Sequence, residues 1–311
     1  MAEVLSKKQN FTRGKVKDLI FYCAWLFIPL AQFCVFYIAV NFNTIALSFQ
    51  QYGMTEQGIP GYSFAGFDTY AEVFKDLFTN YKYTRPLVNS LKAWLVSACV
   101  FTPLTFIFAY YIFKGFAGNH FFKVVLFLPS VISAMVFSFI FRNFVDDALP
   151  KFFADYLGVE IPSLLFEERT RFFTLNFYKI FGGFSGILLY INAMNEVNVS
   201  AMESGKLDGT NAFTELIHII LPGTWKVFVS MFVMGLGAIF TNDLSITAFY
   251  SWNSPSFNTE TIGYTMTAEI NLFGDSVYPF YAAMGIILTF ISAPVVLIVR
   301  WAMNKYGPRE D

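Results

Sequence analysis

Apolar runs long enough to cross a bilayer constrain this chain more than any other feature. A membrane-spanning helix needs about 20 predominantly apolar residues. The runs Leu19–Val40, Leu87–Phe113, Val124–Phe144, Phe173–Met194, Val227–Phe240 (extending toward Phe249) and Phe280–Met303 meet or approach that length. Of the 311 residues, 56% are hydrophobic, 40 are Phe and only 14% are charged. One soluble core cannot use that much apolar surface, whereas a lipid-facing bundle has no such ceiling. The expected fold is all-α and integral to the membrane, a bundle of about six transmembrane helices.

The same composition excludes several function classes. A formal net charge of −1 points to no nucleic-acid partner. Cys23, Cys34 and Cys99 all lie in apolar runs, which gives neither a disulfide framework nor metal-ligand spacing. His120 and His218 are the only histidines, too few for a histidine metal site or a Ser-His-Asp or Cys-His arrangement. No Gly-Lys-Ser/Thr phosphate loop occurs. The chain is therefore expected to hold no catalytic residue, no metal and no cofactor of its own.

Charge placement sets an expected topology. The polar tail 1–18 carries Lys7, Lys8, Arg13, Lys15 and Lys17, and has no clear signal-peptide cleavage site. Lys114 and Lys123 flank the second-to-third connection, Lys206 and Lys226 the fourth-to-fifth, and Arg300, Lys305 and Arg309 close the chain. From Val227 to Val299 there is no Lys or Arg, but there are Asp243, Glu260, Glu269 and Asp275. The positive-inside rule places both termini and the Glu203 region in the cytoplasm, and the fifth-to-sixth connection outside. The permease region then runs over 19–303, followed by a cytoplasmic tail 304–311. Pro129, Pro294, Gly182, Gly183, Gly186, Gly235 and Gly237 punctuate the spans. They are expected to serve close helix packing or mild kinking, with breaks around a translocation path as the other reading.

Inside this apolar chain lies a polar island, Glu203-Ser-Gly-Lys-Leu-Asp208-Gly209-Thr-Asn-Ala-Phe213, running on to Ile219-Ile-Leu221-Pro222. Asp-Gly is a turn dipeptide. Ser200 and Glu203 fit a capping box, Thr210 or Asn211 can cap a second helix, and Pro222 can open a further segment. The pattern predicts helix, tight turn, helix. Phe213, Leu216, Ile217, Ile220 and Leu221 form an apolar stripe close to helical spacing, expected to divide between the chain's own bundle and a partner.

This island resembles the cytoplasmic EAA loop (195–222 here) of binding-protein-dependent, type I ABC importer permeases. Its pattern is Glu-Ala-Ala, two free residues, Asp-Gly-Ala, a Phe and a closing Ile-x-Leu-Pro. Ser204, Gly205 and Thr210 depart from it, and Gly for Ala weakens a helix by roughly 1 kcal/mol. Weaker similarities to the carbohydrate branch, and to its larger maltose-type subunit, extend over most of the chain. They are Leu47-Ser-Phe49 with Tyr52, Phe64 to Tyr70, Asn89-Ser-Leu91, Phe122 to Pro129 with Val131-Ile-Ser133, and Thr259-Glu-Thr261 with Tyr278 and Ala282-Ala283.

The resemblance implies a sugar permease subunit, for a di- or oligosaccharide, in a bacterial plasma membrane. Its implied partners are a second, homologous permease, two ATP-binding cassette subunits carrying ATP and Mg, an extracytoplasmic solute-binding protein and membrane lipid. Glu203, Asp208, Gly209, Phe213, Leu216, Ile217, Leu221 and Pro222 would couple the chain to the ATPase. Tyr178, Phe181, Gly182, Ser185, Gly235, Ala238, Ile239 and Asn242 would line the substrate path, against ordinary packing as the plain alternative. Lys179 lies within an apolar span, with snorkelling toward the outer surface as its expected role. An ion-coupled secondary transporter or channel is the competing function.

Overall fold

The computed structural model describes residues 2–54, 58–182, 186–251 and 258–308; for residues 2–14, 19, 130 and 180–182 it describes the backbone alone. The N-terminal helix begins at Ala2, and its apolar part is α1 (Lys15–Ser48). A two-stranded antiparallel hairpin follows, β1 (Gln50–Met54) with β2 (Pro60–Phe64), with Tyr52 opposite Tyr62. Helix α2 (Asp68–Thr79) then leads into α3 (Tyr81–Phe113), which at 1.5 Å per residue is about 50 Å long. With α13 (Tyr278–Tyr306), α1 and α3 are the helices among the described residues that are individually long and apolar enough to cross a membrane.

Two of the other expected spans are broken. The third divides into α4 (Asn119–Val131) and α5 (Ala134–Leu157), with Ile132 and Ser133 extended between them and the axes bent by 105°. The fifth is preceded by α9 (Ala212–Gly223), which meets α10 (Trp225–Gly237) at 79°. Counting each bent pair as one span gives up to five by length and composition among the described residues. Of the expected fourth span the structure describes α6 (Glu168–Gly182) and α7 (Ile187–Asn195), with residues 183–185 outside the described residues. Hydropathy averages over such interruptions, which explains why the sequence reads as continuous runs. Beyond Pro129 the broken-helix reading therefore replaces mild kinking, while the expectation for Gly183 lies outside the described residues. Pro294 leaves α13 continuous, and a Cβ at Gly235 or Gly237 would meet nothing within 4 Å among the described residues of this chain.

The remaining elements are α8 (Val199–Leu207), α11 (Ile246–Tyr250) and α12 (Ile262–Phe273). Burial falls into three clusters along the bundle. One is built on Val73, Leu77, Tyr281 and Met284; one on Tyr178, Leu244, Phe249 and Tyr264; one on Phe106, Tyr190, Leu216 and Ile220. By contrast α1 leaves Trp25, Phe27, Ile28 and Phe36 about 70% exposed, the surface expected of a helix in lipid or against a second membrane subunit. The free cysteines Cys23, Cys34 and Cys99 are exposed as well.

Candidate functional site

The segment after α7 folds as its turn chemistry predicts. Helix α8 ends at Leu207 with Asp208 as its C-cap, Gly209 takes φ +78°, and α9 begins at Ala212. Only Gly adopts that left-handed backbone without strain, so the turn requires it. Capping differs in detail. Asn198, not Ser200, starts α8: its side chain accepts from Ser200 N at 2.9 Å. Ser200 is thereby inside the helix and no capping box with Glu203 forms. Glu203 is exposed, and its carboxylate makes no hydrogen bond or ion pair among the described residues. Asn211 caps α9, accepting from Thr214 N at 2.8 Å.

Helix α9 contains a π-helical turn, Leu216–Ile220, which shifts the apolar stripe relative to a regular helix. Leu216 and Ile220 are buried against Phe106, Tyr110 and Tyr190. On the other side Phe213 is 73% exposed and Ile217 39%, with Leu207 of α8 at 89%. Leu221 and Pro222 are half-buried at the bend into α10. Helix α9 thus has one face in the bundle and one open.

Sequence reading missed what fixes that helix. Glu215, on the buried side of α9, is 3% exposed, and Lys114 Nζ reaches its Oε1 at 2.7 Å and its Oε2 at 2.9 Å. Tyr110 Oη donates to the Ala212 carbonyl at 3.1 Å. Both partners lie at the end of α3, so a buried ion pair and a hydrogen bond tie α9 to a helix running the length of the bundle. A lysine closing one apolar run and a glutamate within an apolar stripe were the available signals.

Gly205 explains one departure from the EAA pattern. It is buried, and a Cβ there would lie 2.7 Å from Ile219 Cδ1 and 3.2 Å from Thr210 Oγ1. The two halves of the loop approach more closely than an alanine allows unless Ile219 shifts.

At the opposite end of α3, weak sequence similarities from distant parts of the chain meet. Asn89 Nδ2 donates to the carbonyls of Asn258 (2.8 Å) and Glu260 (3.0 Å), and Ser90 Oγ accepts from Ile262 N at 2.9 Å. Ser48 Oγ and Tyr70 Oη are 2.6 Å apart, and Thr69 Oγ1 donates to the Gln50 carbonyl at 3.0 Å. Buried Arg171 donates to the carbonyls of Leu165 and Phe166 and to Thr259 Oγ1.

Between the two ends lie two adjacent cavities, of about 240 Å³ and 300 Å³, which share Ser97 and Phe101. Those two residues bound a π-helical turn of α3, Ser97–Phe101, a feature that recurs at functional sites. Asn242 lines the first cavity and Gly235 the second. Tyr178 is packed between Phe137 and Phe249, with ring centroids 5.4 Å and 4.8 Å away, and Ile239 is buried. Ala238 is exposed. Phe181 and Gly182 are described by backbone alone, and Ser185 lies outside the described residues.

Lys179 does not snorkel outward. Its Nζ turns into the first cavity and donates to Asn242 Oδ1. Asn242 Oδ1 also accepts from Leu244 N at 3.0 Å, which fixes the amide.

No family model matches the chain. The diacetylchitobiose uptake system permease protein NgcF of Streptomyces coelicolor is 24% identical, over 90% of this chain and 82% of that protein. The multiple sugar-binding transport system permease protein MsmF of Streptococcus mutans is 23% identical, over 91% of this chain and 96% of that protein. The fold matches a chain in a crystal structure of a bacterial alginate ABC transporter in complex with alginate pentasaccharide-bound periplasmic protein. That match has a TM-score of 0.76 at 18% identity and covers 96% of this chain and 99% of the other. These relatives are transport permeases rather than enzymes, and the resemblance seen in the sequence is the one they carry: the chain is similar to sugar ABC transporter permeases.

Proposed function

We propose that this chain is the membrane-spanning permease subunit of an ATP-driven importer for a di- or oligosaccharide. In this reading it forms half of the translocation path and passes ATPase motion to it. The observation that carries the proposal is the division of α9, buried through Leu216, Ile220 and Glu215 and open through Phe213 and Ile217. An amphipathic helix with a free apolar face is suited to a groove in a partner. Closing two ATP-binding cassette subunits would move that groove, and a helix pinned to α3 by Lys114 passes the movement into the bundle. Glu203 and Asp208 contribute exposed charge beside the docking face, Gly209 the turn, and Leu221 and Pro222 the bend into α10.

The fine assignments follow from the same reading. The α8–α9 end and both termini face the cytoplasm, and the hairpin end faces outward toward a solute-binding protein. The bent pairs and the α6–α7 pair count as spans, making six with α1, α3 and α13. ATP and Mg sit on the cassette subunits, and a second, homologous permease completes the path in the bacterial plasma membrane. No nucleic acid takes part.

The test is ATPase activity of the assembled complex in lipid, with binding protein and a panel of sugars. Wild-type is expected to respond to a sugar, whereas Glu203→Lys and Gly209→Val should assemble without responding. A chain that purifies without an ATPase and drives uptake from an ion gradient would instead be a secondary transporter, with Lys179 the ionisable residue to examine first.

A further inference from the structure

Lys179 is a cation placed inside the bundle, and its surroundings are nearly neutral. Its Nζ donates to the amide oxygen of Asn242, and none of the ion pairs among the described residues includes it. Asp243 is the acidic group near enough to act on it electrostatically, but it lies beyond ion-pair distance, and its Oδ1 accepts from Ser245 N at 3.0 Å. A charge in this setting is costly and is kept where it pairs with something or lies on a path for a charged solute.

The cavity around Lys179 has the other features of a carbohydrate site. Asn176, Asn242 and Ser97 offer hydrogen bonds, and Phe101 forms part of the wall. The adjoining cavity adds Thr102, Thr105 and Tyr190, whose buried hydroxyl has no partner among the described residues. A buried unpaired hydroxyl calls for an explanation, and a polar ligand in the cavity supplies one.

We propose that the sugar carried past this chain is acidic, an oligosaccharide bearing carboxylates of the uronate type, and that Lys179 is its charge-recognising residue. The proposal rests on the importer reading and adds the substrate class to it. Lysine suits the task because its ammonium is a compact charge on a flexible stem, able to follow a moving carboxylate, while Asn242 holds it when the site is empty.

The experiment compares an oligogalacturonate with its carboxyl-reduced neutral counterpart. Each is presented to the complex in lipid on saturated binding protein, with ATPase stimulation as the readout. Wild-type should respond to the acidic sugar, and Lys179→Gln should lose about tenfold or more of that response, the worth of one charge-assisted hydrogen bond. Lys179→Arg, which keeps the charge, should retain most of it. Equal responses to both sugars, unchanged by Lys179→Gln, would overturn the charge assignment while leaving the importer reading in place. Loss of assembly in both variants, measured by size-exclusion chromatography, would also overturn it, because Lys179 would then be pairing with another subunit. No response to any sugar in wild-type would remove the importer reading itself, and this proposal with it.

Discussion

The two ends of α3 are held by different means. At the Tyr81 end the contacts are many, short and mostly neutral. Asn89 and Ser90 bind the backbone around 258–262, and Tyr83 and Tyr281 pack together in an apolar cluster. Lys82 pairs with Glu269 at 2.8 Å from a half-exposed position. At the Phe113 end, beside the apolar packing of Phe106 and Tyr110 on Leu216 and Ile220, the polar attachment among the described residues is concentrated in one buried ion pair, Lys114–Glu215, and one hydrogen bond from Tyr110. A distributed network is insensitive to the loss of one member. A single buried ion pair is not, since removing one partner strands the other charge. The first design suits a platform and the second a linkage that transmits force to one helix.

The comparison breaks most sharply at Glu215. Replacing it with Ala should leave Lys114 buried without its carboxylate, at a cost on the order of 3–5 kcal/mol. ATPase subunits should dissociate from the complex or hydrolyse ATP without transport. A Lys114→Met, Glu215→Met double variant should recover stability, read by thermal unfolding in detergent, because two apolar groups leave no stranded charge. Equal losses in the single and double variants would mean that the ion pair is not the linkage.

At the other end the most damaging single change is expected at Gly263. A Cβ there would come within 2.7 Å of the Thr241 carbonyl carbon and 2.8 Å of its oxygen, both backbone atoms that cannot rotate away. Gly263→Ala should cost about 1–3 kcal/mol, the usual penalty of overpacking. The platform should loosen, with a lower thermal midpoint but an ATPase that stays bound. Dissociation of the ATPase would show that the two ends are not independent.

The smallest effect is expected at Gly205. Alanine gains helix propensity of roughly 1 kcal/mol. It must also displace the end of the Ile219 side chain and press Thr210. These terms oppose, so stability should move by less than about 1 kcal/mol. Coupling should be kept, as measured by sugar-stimulated ATPase activity.

Some of this was legible in the residues and some was not. Asp208-Gly209 announced its turn because a positive φ is a local demand that Gly alone meets cheaply. Asn211 was readable as a cap because its side-chain oxygen reaches an amide three residues on, whereas the Ser200–Glu203 box was not formed because Asn198 caps first. The broken spans were hidden, since a window of apolar residues looks alike whether its helix is straight or bent by 105°. The π turns at Ser97–Phe101 and Leu216–Ile220 have no composition of their own and left no sign.

By itself the sequence determined the class of molecule: apolar helices in a membrane, with a polar helix–turn–helix set among them. Those properties depend on neighbours a few residues away, through periodicity, capping and transfer into lipid. The tertiary structure decided which residues act together. Lys114 and Glu215 are 101 positions apart, Asn89 and Glu260 171, Lys179 and Asn242 63. No local rule relates them, because each pairing exists only where packing brings two helices to the same depth and leaves a polar group no water to turn to.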